Sequence, residues 1–173
     1  MGYHTNFSGS FSITPALKPE HIAYLQAFNT SRRMKRDAVK AESFTDPVRL
    51  AAGLPIGPEA GYYVGAAEED HGQVRDSAVI DYNSAPAGQP GLWCQWTVSD
   101  DGTELLWDDG EKFYDYTEWL EYLVQHFLKP WGYTVNGEVE WEGESGDDLG
   151  IIYAKDNRIQ AVQSEIVTPK PVW

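Results

Sequence analysis

Asn136-Gly137-Glu138-Val139-Glu140-Trp141-Glu142-Gly143-Glu144 alternates acidic and uncharged residues without a break from Glu138 onward. Side chains alternate faces along a strand, so Glu138, Glu140, Glu142 and Glu144 share one face and Val139 and Trp141 take the other. The acids then stand roughly 6.6–6.8 Å apart, twice the rise per residue. Asp147 and Asp148 follow and extend the run into the next turn. Like charges in a line destabilise the strand that holds them unless cations or a partner answer them. Asn136-Gly137 is a strong hairpin signal and predicts a turn joining Tyr133–Val135 to the glutamate strand. A further hairpin at Asp156-Asn157 joins Leu149–Lys155 to Arg158–Ser164, so this end of the chain reads as a meander of up to four strands.

Upstream of the meander, Asp115 with Glu118 three residues on forms a capping-box signature. Tyr116, Leu120, Leu123, Val124 and Phe127 then give a helical apolar stripe that Pro130 ends. Leu92–Val98 alternates as a strand with Leu92, Cys94, Trp96 and Val98 on one face. Asp100-Asp101-Gly102-Thr103 turns it into Glu104–Trp107. At the other end, Thr5–Thr14 alternates around Phe7, Phe11 and Ile13 and reads as a strand. Pro19 and Glu20 open a helix over 19–29 carrying Ile22, Leu25 and Phe28. Residues 38–91 are irregular and rich in Pro and Gly. Asp46 caps a short helix from Pro47 to Ala52, and Tyr62–Val64 and Ala78–Tyr82 are short strand candidates. The expected fold is α+β: a mainly antiparallel sheet ending in a β-meander, two main helices on one face, and a long irregular middle segment, all in a single domain over 1–173. Pro169 and Pro171 mark 166–173 as a loose tail.

The 173 residues suit one domain with a substantial core, and the 42% apolar and 13% aromatic content excludes a disordered chain despite a net charge of −14. No apolar run approaches the ~20 residues of a membrane span, and no signal peptide is legible, so a cytoplasmic setting is expected. Cys94 stands alone and cannot form an internal disulfide. The charge is uneven. Residues 1–40 hold six Lys/Arg against two acids, a net of +4, while 99–148 hold fifteen acids against two lysines, a net of −13.

Candidate chemistry is sparse. There is no Gly-x-Ser-x-Gly, no ligand spacing among His4, His21, His71 and His126, and no phosphate-cradling loop. Cys94 on an apolar strand face reads as structural, and His126 late in a helix suits the dipole. The clusters Asp108/Asp109/Glu111, Glu144/Asp147/Asp148 and Glu68/Glu69/Asp70/His71 lack the spacing of a calcium loop, so no metal or cofactor is expected. Arg32, Arg33, Lys35 and Arg36 form a basic segment, but a chain of this acidity repels nucleic acid. The four are expected to meet an acidic surface of this protein or of a second copy. Lys155 and Arg158 could quench part of the glutamate row by cross-strand pairing, which still leaves a surplus of acid. That surplus is read two ways: as an ordinary solvated face, or as a charge row spaced like nucleic-acid phosphates.

Gln89-Pro90-Gly91-Leu92-Trp93-Cys94-Gln95-Trp96, Gly110-Glu111-Lys112-Phe113-Tyr114-Asp115-Tyr116 with Glu118-Trp119-Leu120-Glu121-Tyr122-Leu123, Pro130-Trp131-Gly132-Tyr133, Asn136-Gly137-Glu138-Val139 and Asp156-Asn157 resemble small uncharacterised proteins of bacteriophages, prophages and actinobacteria. The similarity covers about residues 80–160. The resemblance implies a phage or bacterial cytoplasmic setting and carries no activity with it. By analogy with small acidic phage proteins it implies an inhibitor of host defence or nucleic-acid-handling machinery.

Two expectations follow. The first is a non-enzymatic acidic binding protein whose Glu138, Glu140, Glu142, Glu144, Asp147 and Asp148, helped by Asp108 and Asp109, dock on a basic surface of a host protein. Self-association is compatible with this reading; direct nucleic-acid or membrane contact is not part of it. The second is an enzyme or small-ligand protein with a pocket between 54–91 and the aromatic hairpin 92–107, lined by Tyr62, Tyr63 and Trp93, with Glu68, Asp70 or His71 as acid–base groups.

Overall fold

The computed structural model describes residues 2–164, and the predicted loose tail at 166–173 lies outside them. Ten residues of β1 (Thr5–Thr14) pair antiparallel along their whole length with ten of β6 (Thr134–Gly143), from Thr5 opposite Gly143 to Thr14 opposite Thr134. These two long strands are the spine of a six-stranded antiparallel sheet of order β4-β5-β1-β6-β7-β8. β4 (Trp96–Val98) and β5 (Glu104–Trp107) flank one side; β7 (Leu149–Lys155) and β8 (Arg158–Gln163) complete the meander on the other. The fold is α+β, as the alternation predicts.

The hairpin predicted at Asn136-Gly137 does not form. β6 runs straight through it, because folding back there would leave half of β1 without a partner. Gly137 serves the close approach of strands instead: at φ +131° it has Ser10 O 3.2 Å and Phe11 Cα 3.3 Å from where a Cβ would stand. Asn136 turns its carboxamide to the real hairpin, where its Oδ1 accepts from Asp156 N. Asp156 and Asn157 both take positive φ (49° and 70°), the geometry of a two-residue turn whose twist matches the flanking strands. The meander therefore has three strands rather than four.

One face of the sheet is covered by α1 (Pro19–Asn29) and α4 (Tyr116–Leu123), as expected. Phe7, Phe11, Ile13, Val135, Val139, Trp141, Ile152 and Ala154 meet Tyr24, Leu25, Phe28, Trp119, Leu120 and Leu123 there. Aromatic edges set much of the packing, including Phe28 on Trp119 at 5.8 Å and Phe7 on Trp96 at 5.3 Å. Asp115 begins α4 in a left-handed conformation (φ 55°) and its side chain caps nothing, so the predicted capping box is absent. The helix widens over Val124–Leu128 to π-type turns, with Lys129 N donating to Val124 O, before Pro130.

The middle segment is built on the basic cluster. Short helices α2 (Ala38–Glu42) and α3 (Pro47–Ala51) and a two-stranded pairing of β2 (Lys35–Arg36) with β3 (Val79–Asp81) punctuate it. A second apolar cluster, Ala41, Ala60, Tyr63, Ala66 and Ala78, sits beneath. Tyr62–Val64 is irregular rather than strand: Tyr62 ends a turn, and Tyr63 N donates to Ala60 O. The Asp46 side chain does not cap α3; its Oδ2 accepts from Arg49 Nε at 2.7 Å.

Arg33 is buried and its Nη2 donates to Gly61 O (2.7 Å) and Tyr63 O (2.9 Å). Arg32 donates to Tyr82 O and lies over the Tyr82 ring; Lys35 and Arg36 pair with Glu59 and Asp76. The basic segment thus engages carbonyls, rings and two acids of its own middle segment, not the glutamate row.

Candidate functional site

The sheet face away from the helices carries the glutamates. Glu138, Glu140 and Glu142 are exposed in alternation with buried Val139 and Trp141, as the sequence pattern requires. Register supplies their neighbours: Ser10, Ser8 and Asn6 on β1, and Tyr153, Ile151 and Leu149 on β7. Beyond β7 lie Gln160 and Val162 of β8. The face is therefore a band of small polar residues, a row of carboxylates, then an apolar strip in which Tyr153 is 40% and Val162 44% exposed. Shallow hollows of about 330 Å³, lined by Asn6, Ser8, Glu140, Glu142 and Ile151, and about 590 Å³, lined by Glu138, Tyr153, Lys155, Arg158 and Gln160, shape it.

Glu104 of β5 belongs to this face too, accepting from Ser10 Oγ at 3.0 Å. Nothing in its local sequence marks it; only the β1–β5 pairing brings it there. The serines were readable as the polar positions of the Thr5–Thr14 alternation, but their place beside the glutamates needed the register.

Four of the predicted acids stand away from the row. β6 ends at Gly143, and Glu144 bends back so that its Oε1 accepts from His4 N at 2.8 Å. Asp148 turns inward: Oδ1 accepts from Trp141 Nε1 (3.0 Å) and Oδ2 from Tyr3 Oη (2.7 Å), which fastens the N-terminus to the β6–β7 turn. Asp147 remains exposed at the end of the row. Asp108 stands at the opposite edge of the sheet, where its Oδ2 accepts from Asn29 Nδ2, the same amide that bonds Cys94 O and Trp96 O. Asp109 goes with it.

Lys155 and Arg158 face each other across the terminal hairpin, and neither forms an ion pair with a glutamate among the described residues. The expected quenching of the row by these two cations is absent. They give the face a positive end instead.

The alternative pocket assembles only in part. His71 and Trp93 line an open hollow of about 400 Å³ with Asn29, Gln95 and Asp108. Glu68 and Asp70 are exposed outside it, Tyr62 is engaged with His126 (2.8 Å) and Tyr63 is buried in the second apolar cluster. Partial burial pushes the Asp108 carboxyl up, against the hydrogen bonds from Asn29 Nδ2 and Gly110 N. Burial pushes the Cys94 thiol well up and keeps it protonated, as a structural cysteine would be. None of the three acidic clusters gathers a set of three donors able to hold a metal ion among the described residues. No helix among them is long and apolar enough to cross a membrane. No protein-family model, curated protein or solved structure matches the chain, so the use of this face is argued from its own chemistry.

Proposed function

We propose that this chain is a non-enzymatic binding protein whose outer sheet face docks on a basic surface of another protein. One observation carries the reading: Glu138, Glu140 and Glu142 stand side by side on a continuous strand, exposed and without an ion pair among the described residues, next to an exposed apolar strip. Like charges so placed repel, and a cationic partner relieves that repulsion while Tyr153 and Val162 supply apolar contact. The positive end at Lys155 and Arg158 orients the partner along the row. The spacing of the acids resembles that of nucleic-acid phosphates, which suits a target that ordinarily grips DNA or RNA. In the phage or bacterial setting implied by the sequence resemblance, that target is a host defence or nucleic-acid-binding protein.

Affinity capture from bacterial lysate with the wild-type chain and with Glu138→Gln/Glu140→Gln/Glu142→Gln tests this. A basic protein retained at low salt should be lost with the variant and released from the wild type by raised salt, since exposed charges are screened over about 8–10 Å near physiological ionic strength. Equal capture by both chains refutes it. The hollow holding His71, Trp93 and Asp108 favours a second reading, a small-ligand site, because Asp108 presents there a carboxyl whose proton affinity burial has raised. Native mass spectrometry of the purified chain, with Asp108→Asn as control, would detect a retained small molecule.

A further inference from the structure

The two edges of the sheet are treated differently. At the β4 edge, the carbonyls that would invite another strand are already occupied: Asn29 Nδ2 bonds Cys94 O and Trp96 O, and Gln26 Nε2 bonds Val98 O. Helix α1 closes that edge with its own side chains. Among the described residues β8 has no such cover. Ser164 N donates to Leu149 O and Lys155 pairs with Arg158, so the even-numbered residues of β8 bond to β7. The backbone groups of Ile159, Ala161 and Gln163 therefore point away from the sheet, and none is bonded among the described residues.

Natural proteins blunt such an edge with a bulge, a proline or a charge. β8 pairs with β7 through six consecutive positions without a bulge, and its one charge is Arg158 at the turn. In a chain of net −14, this strand contains no carboxylate.

We propose that the β8 edge is a self-association surface at which a second copy of this chain pairs antiparallel, β8 to β8. The pattern is self-complementary. With Ala161 on the two-fold axis, Ala161 meets its mate and Ile159 meets Gln163 of the other copy, a set of about six N–H···O bonds between groups that have no partner among the described residues. The residue at the axis is small. On the outer face Val162 stands opposite Gln160 of the other copy, extending the apolar strip across the junction. Arg158 of each copy approaches the end of the strand where the other's Asp147 is exposed, beside Gln163, whose Nε2 donates to Asp147 O. That contact is one of opposite charge in a molecule otherwise set to repel itself. The product is one continuous sheet presenting two glutamate rows roughly 24 Å apart, five strand spacings. It does not depend on what the glutamate face binds. A six-residue edge buries less than the ~800 Å² per partner of a standard interface, so the dimer is expected in the micromolar range.

Sedimentation of the full chain from about 1 to 500 μM should show a reversible monomer–dimer equilibrium. Ala161→Pro removes only an outward N–H and should weaken the dimer more than tenfold while the circular dichroism and thermal midpoint stay near wild type. Ala161→Cys places two thiols with Cα atoms about 5.5 Å apart on the axis, inside disulfide range, and should give a covalent dimer on mild oxidation. A chain that stays monomeric across the range, a dimer indifferent to Ala161→Pro, or failure of Ala161→Cys to cross-link overturns the proposal.

Discussion

Arg33 sits 1% exposed with no carboxylate at ion-pair distance among the described residues, and burial lowers its pKa to about 10, so it stays charged at neutral pH. Its guanidinium is answered by the carbonyls of Gly61 and Tyr63 and by the Phe28 ring 4.2 Å away. These contacts pin the middle segment to the end of α1. Arg33→Met should therefore strand two buried carbonyls and cost about 2–4 kcal/mol in a urea titration. Arg33→Lys should recover little, because an ammonium offers neither the planar group that lies over Phe28 nor the Nε that donates to Gln89 Oε1. An unchanged midpoint in either variant would contradict this role. His21, 9% exposed, is stacked on Trp131 at 3.9 Å and hydrogen-bonded to Tyr133 Oη. Burial lowers its pKa, partly opposed by Glu20. The unfolded chain therefore binds this proton more readily than the folded one. The His21 contribution is complete above about pH 6.5 and is lost as pH falls below it. Thermal midpoints should drop from pH 7.5 to 5.5, and His21→Phe should flatten part of that slope, with His126 supplying a further part of the same sign.

The lesson of the elements lies in two turns that look alike on paper. Asn136-Gly137 and Asp156-Asn157 both carry the residues that tight hairpins favour, yet only the second turns. Local turn chemistry at 136–137 competes with ten cross-strand pairs to β1, and the pairs win. Gly137 is needed there for space and for its positive φ, so Gly137→Ala should cost about 2 kcal/mol. Gly146, which has nothing within 4 Å of a Cβ, should accept alanine almost without loss. Equal midpoints for the two variants would show that the β1–β6 contact is looser than the structure has it. The absent capping box at Asp115 follows the same logic: the signature is present, but a left-handed backbone turns the side chain away from the helix.

At the scale of the molecule, net charge is distributed by face. The basic segment is spent internally on the middle of the chain, and the acids Glu104, Glu138, Glu140 and Glu142 share one side of the sheet. If that face is shaped for a partner, it opposes the fold in isolation. Glu138→Gln/Glu140→Gln/Glu142→Gln should raise the thermal midpoint by about 1–3 °C at low salt, a fraction of a kcal/mol, and the gain should shrink as salt screens the row. A lowered midpoint would show that these carboxylates make stabilising contacts within the chain.

The sequence alone determined the α+β class, the long first strand, both main helices, the terminal hairpin and the outward glutamates. Each of these follows from a period or a turn written within a few residues. Tertiary structure alone decided the rest: that β6 is one strand, that Glu144 and Asp148 fasten the N-terminus, that Asp108 stands at the far edge, and that Ser8, Ser10, Ile151 and Tyr153 border the carboxylates. Those facts depend on pairing register between segments far apart in the chain, and register is set by which side chains fit across strands, which local pattern does not encode.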